Sequence, residues 1–191
     1  MKDAKFEDLF HKEIEDLYDA EKQIITALPK MIAASSSAEL ASAFEEHLQQ
    51  TREQAKRLEQ IFEEMGEPSS GKTCEGMQGL LQEGEKLINE VNKSAVLDAA
   101  LIAAAQKVEH YEISSYGTAR AMAIMLGQEG PAELLEETLE EEKETDERLT
   151  EIAESIMTGE YGAADEEDEE EEIEEEEIEE EEAEPNRLRP E

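Results

Sequence analysis

The sequence has no tryptophan, one cysteine, and only four phenylalanines and four tyrosines in 191 residues. A core of normal size must therefore be built from Leu, Ile, Ala and Met, as helical bundles are. Cys74 cannot form an intramolecular disulfide, and no Cys/His cluster is present to bind structural zinc. The charged N-terminus, MKDAKFEDLFHKEIED, lacks the apolar stretch of a signal peptide. No run approaches the length of a membrane span. These absences lead to the expectation of a soluble, cytoplasmic protein.

Basic residues are also scarce. Against 54 Asp and Glu there are 17 Lys and Arg, giving a formal charge of -37. The segment from Asp165 to Glu191 holds 18 acidic and 2 basic residues, which leaves the body near -21. A field of that sign repels nucleic acid and anionic membranes, and both are excluded as expected partners. A block of like charges this long cannot bury enough apolar surface to fold, so a disordered acidic tail is expected over 161–191, after a folded domain over 1–160.

Within that domain, apolar residues recur at helical spacing. Phe6, Leu9, Phe10, Leu17, Ile24, Leu28 and Met31 predict a helix over about 4–33, which Pro29 should kink or shorten. After the serines at 35–37, Leu40, Phe44, Leu48, Ala55, Leu58 and Phe62 predict a second helix to about 65. A breaker cluster at 66–71 precedes a short, glycine-containing helix over about 74–91. Leu97, Leu101, Ala104, Val108, Ala119, Met122 and Leu126 carry a long helix over about 94–127. Leu135, Leu139, Leu149, Ala153 and Ile156 carry the last to about 157. Hairpin, long connection, hairpin is the plan of an all-α, ferritin-like antiparallel four-helix bundle with a short extra helix in the crossover.

With so many acids, position relative to each apolar stripe is the informative test. At about 100° per residue, Glu142 and Asp146 fall near the centre of the last stripe. Glu112 lies near the centre of the preceding one, with Glu109 at its edge, an ExxE pair flanked by Tyr111 and Tyr116. His110 points away from it. In the first helix Glu13 and Glu21 both face inward, and Glu21 is better placed in level. A hairpin turning near 35 sets position 21 opposite about 49, where His47 is the ionisable residue nearest the stripe, with Thr51 inside it and Gln54 at its edge. Buried carboxylates need a cation, a proton or a dense hydrogen-bond set. Oxygen-rich donors with one imidazole suit iron or manganese better than zinc. The candidate ligands are Glu21, His47, Glu109, Glu112, Glu142 and Asp146, around two metal ions. The competing expectation is a metal-free structural or interaction bundle whose acids are protonated or hydrogen-bonded.

Several segments resemble the YciE/YciF-type ferritin-like stress proteins. They are LYDAEKQIITALPKM at 17–31, EEHLQQTREQAKRLEQIF at 45–62, KTCEGMQGLL at 72–81, DAALIAAAQKVEHYEISSYGTA at 98–119 and LLEETLEEEKETDERLTEIA at 134–153. The resemblance implies a fold shared with rubrerythrins and other di-iron bundles, with Glu21, Glu109, Glu112 and Glu142 as ligands. It further implies oxidation of Fe(II) or consumption of peroxide, and a homodimer is expected as the assembly. Rubrerythrin-like sites take histidines from ExxH on the second and fourth bundle helices, where this chain has Gln54 and Thr145. His47 and Asp146 are the expected replacements.

Overall fold

The computed structural model describes the backbone of residues 5–183 and the side chains of residues 5–159. Among them are the helices α1 (Phe6–Ala34), α2 (Ala38–Met65), α3 (Glu75–Glu90), α4 (Ala95–Met125) and α5 (Glu129–Ala183). The boundaries follow local chemistry. Ser37 and Ser94 each accept a hydrogen bond from the backbone N–H three residues on, at 3.3 Å, capping α2 and α4. Gly66, at φ 72°, takes the left-handed conformation that ends α2, and Glu67 N–H returns to Phe62 O at 3.0 Å. Pro29 lies inside α1, exposed, and the helix runs on to Ala34, so the expected shortening does not occur.

α1 pairs with α2 and α4 with α5, while α2 lies on α5 and α1 on α4, which closes the four-helix bundle. α3 rides in the crossover against α1 and α4. Its close docking explains a glycine that is unfavourable for helix formation. A Cβ on Gly76 would stand 2.9 Å from the Tyr111 ring. That ring is fixed by its hydroxyl, which donates to Asp16 at 2.6 Å and lies 3.0 Å from Cys74 Sγ. Asp98, buried in the first turn of α4, clamps the α1–α2 turn by accepting the N–H groups of Ser36 and Ser37, each at 2.8 Å.

The helical backbone of α5 is described to Ala183, into the acidic segment. Glu is a good helix former, and neither Gly nor Pro occurs between Gly162 and Pro185. Its packing role in the bundle ends much earlier, because among the described side chains the last from α5 to meet the core is Ile156. The end of the tail, 184–191, lies outside the described residues.

The core comes in two apolar halves. One contains Ile24, Leu28, Leu40, Phe44, Leu101, Val108 and Leu149. The other contains Phe10, Ile14, Leu58, Phe62, Tyr116, Ala119 and Leu135. On each of the four bundle helices the switch between halves coincides with buried polar residues: Glu21 on α1, His47, Thr51 and Gln54 on α2, Glu109 and Glu112 on α4, and Glu142 on α5. A polar layer thus crosses the middle of an aliphatic core.

Candidate metal centre

His47, Glu109, Glu112 and Glu142 each bring a ligand atom into one group in which all such atoms lie within 4.8 Å of one another. The spacing is helical. Glu109 and Glu112 sit one turn apart on α4 and so face the same point, while α2 and α5, packed against each other, contribute one donor each. Glu21 completes the layer from α1. It is fully buried beside Glu112, and its Oε1 accepts a hydrogen bond from the buried Tyr116 hydroxyl.

These acids are poorly satisfied as anions. Glu21 Oε2, Glu109 Oε2, both oxygens of Glu112 and Glu142 Oε2 are buried with no hydrogen-bond donor, and neither nitrogen of His47 has a partner. His47 Nε2 stands 3.5 Å from Glu109 Oε1, too far for a hydrogen bond. Burial raises the carboxyl pKa values of Glu21, Glu109 and Glu112 well above the ordinary range, and the charge of neighbouring glutamates adds to it. Burial, followed by the charges of Glu21 and Glu112, raises the Tyr116 hydroxyl as well. Glu21 lies beside Glu112 and Glu109 beside Glu142, and within either pair a hydrogen bond can form only if one member carries a proton. The layer therefore calls for protons or cations.

Among the described residues no basic side chain donates to these orphaned oxygens. Arg57 on α2 donates instead to Glu137 and Glu141 at 2.7 Å. Its effect on the core is indirect. Glu141 so held accepts Gln54 Nε2 at 3.0 Å, and the same nitrogen donates to Glu142 Oε1 at 2.5 Å. The apolar stripes alone give no role to Arg57, and Glu141 falls outside the last stripe as a flanking acid. Their signal was the position of Arg57 one turn beyond Gln54, opposite acids at 137 and 141.

Two expected ligands, Glu21 and Asp146, lie outside the four-residue group; Glu21 is buried beside it, whereas Asp146 is not. It is 22% exposed, lies 3.2 Å from the exposed His110 and accepts Gln106 Nε2 at 3.1 Å. Four residues on from Glu142 is about 40° of further rotation, which turns Asp146 across the face of α4. It acts on the layer only through its charge, which disfavours ionisation of Glu109. His110, expected to point away, does so. Glu13, the other inward acid of α1, is half-buried and lies outside the group.

Fold and layer together define a ferritin-like helical bundle with a carboxylate-rich core. The chain belongs to the family described as Domain of unknown function (DUF892), which matches residues 5–161. It is 48% identical over 148 residues to Protein YciF of Escherichia coli, covering 77% of this chain and 89% of that protein. The crystal structure of the E. coli stress protein YciF is similar at TM-score 0.79 and 45% identity, covering 82% of this chain and 99% of that one. YcfI of Rhodopseudomonas palustris, for which a structural role has been suggested, is similar at TM-score 0.75 and 40% identity, covering 77% and 94%. Among the described residues no helix is long and apolar enough to cross a membrane.

Proposed function

We propose that this chain is a metal-binding, ferritin-like protein whose polar layer holds two ions of iron or manganese, with Glu21, His47, Glu109, Glu112 and Glu142 as the ligands. The observation that carries the reading is the set of buried carboxylate oxygens without donors, facing a buried imidazole with two free nitrogens. Cations satisfy all of them together, and oxygen donors with one nitrogen match the preference of those metals. When bound, such ions supply a Lewis-acidic, redox-capable centre suited to oxidation of Fe(II) or consumption of peroxide.

The protein's own residues prepare that centre. Tyr116 fixes the orientation of Glu21, and Gln54 fixes that of Glu142. Arg57 holds Glu141, so that Gln54 is anchored from behind. Without a cation, Glu21, Glu109 and Glu112 favour their protonated forms, so metal binding must expel protons.

A second reading has support of its own. Gln54 and Tyr116 already satisfy one oxygen each of Glu142 and Glu21, and protonation can satisfy more, as a metal-free structural bundle would require. Metal analysis of protein purified without chelators separates the two. The metal reading predicts about two ions per chain, lost in Glu112→Ala/Glu142→Ala while the helical signal persists. Equal metal content in both proteins would refute the site. Metal-free wild type, with a melting temperature lowered in the double variant, would support the structural reading, since the variant loses hydrogen-bonded core side chains.

A further inference from the structure

A cavity of about 190 Å³ lies in the apolar half that contains Leu28 and Leu149, and His47 and Glu109 form part of its wall. Ten of its seventeen lining residues are apolar, Ile24, Leu28, Phe44 and Val108 among them, all buried. Gln50, Glu144 and Thr145 add polar groups to the wall. Glu46 and Arg148, both about half exposed, also line it and are joined across α2 and α5 by a 2.7 Å ion pair. The chamber is thus bordered by exposed charged residues as well as by two members of the buried group.

The geometry points to this chamber as the binding site of a small, uncharged and largely apolar molecule, held against the His47 and Glu109 side of the polar layer. The walls decide the class. An ion would shed its hydration against a wall that is aliphatic in its majority, and an anion would also face Glu46, Glu109 and Glu144. An apolar cavity of about 150 Å³ stays dry and takes up benzene or xenon, so this volume admits a molecule up to about the size of a benzene ring. Anions meet a further obstacle in the net charge of -37 on the chain. Dioxygen is a member of the class. Only what such a molecule would meet beside His47 and Glu109 rests on the metal reading, because the chamber is formed by the bundle itself.

The test uses the full chain, stripped of metal, titrated with benzene and followed by the methyl resonances of Ile24, Leu28, Val108 and Leu149. Saturable binding with shifts at those methyls is expected, and benzoate should produce none. Ala43→Leu and Ala105→Leu, each placing a larger side chain at the chamber wall, should weaken benzene binding by about tenfold or more. Two substitutions on different helices guard against one failing to fold. Glu112→Gln/Glu142→Gln, which removes the metal ligands, should bind benzene like the wild type, so failure of the metal reading and failure of the chamber are distinguishable. Absence of saturable binding, equal binding of benzoate, or undiminished affinity in both folded leucine variants would overturn the assignment.

Discussion

The two apolar halves of this bundle are filled differently. In the half beyond Glu112, Phe10, Tyr18, Phe62 and Tyr116 are all buried, and Tyr18 meets Phe62 edge-on with centroids 5.7 Å apart. In the other half Phe44 is the one fully buried aromatic, surrounded by Ile, Leu, Met and Ala, and there the chamber lies. A chain with so few aromatics has concentrated them on one side of its polar layer. The packed half also supplies the Tyr116 hydroxyl to Glu21, fixing the layer from below, while the looser half leaves His47 and Glu109 within reach of a small molecule. One side positions and the other admits.

The largest effect of breaking this asymmetry should come from Phe62→Ala, at about 3–5 kcal/mol, because a large, fully buried ring loses both transfer energy and its edge contact. Leu149→Ala, at a wall where packing is already incomplete, should cost only about 2 kcal/mol, the low end for such a change. Urea unfolding of the two variants measures the difference, and equal losses would remove the distinction. The reverse substitutions sharpen it. Ala119→Leu should destabilise by about 1–3 kcal/mol through overpacking, whereas Ala43→Leu, with the chamber to expand into, should cost less than about 1 kcal/mol. A smaller effect, about 1 kcal/mol, is expected for Gly76→Ala. The clash with a Tyr111 ring anchored to Asp16 should outweigh the gain in helix propensity, and a rise in melting temperature would show that the ring yields.

Much of this architecture was legible in the sequence. Apolar periodicity located both hairpins and the crossover helix to within a few residues, because each stripe is long and interrupted only where acids enter. Those interruptions also gave the polar layer: Glu21, His47, Glu109, Glu112 and Glu142 came from levels and rotations, which a bundle of nearly straight antiparallel helices preserves. Asp146 misled because a stripe centre drawn on one helix does not show which neighbour that helix faces, and α5 turns this residue toward Gln106 and His110 on α4. Arg57 and the Asp98 clamp were invisible for the same reason. Each acts through a partner more than 60 residues away in sequence. The chamber could not be read at all, since a void depends on how side chains meet across helices.

The most direct test of the central claim is thermal melting of the full chain between about pH 7 and 4.5, metal-free and with Fe(II) under anoxia or with Mn(II). In the metal-free protein the folded-state pKa values of Glu21, Glu109 and Glu112 lie above their unfolded values of about 4.3. Folding then favours the protonated forms, so stability is greatest below the unfolded pKa and declines as pH rises toward the folded values. Acidification from neutrality should therefore lessen the penalty from these buried acids. Bound metal requires the deprotonated ligands, so its stabilisation should be present near pH 7 and disappear as acid displaces it. The account predicts a melting temperature well above the metal-free value near pH 7 and convergence of the two curves by pH 4.5. Coincident curves at every pH, with no stabilisation by either metal, would contradict a metal centre in this bundle.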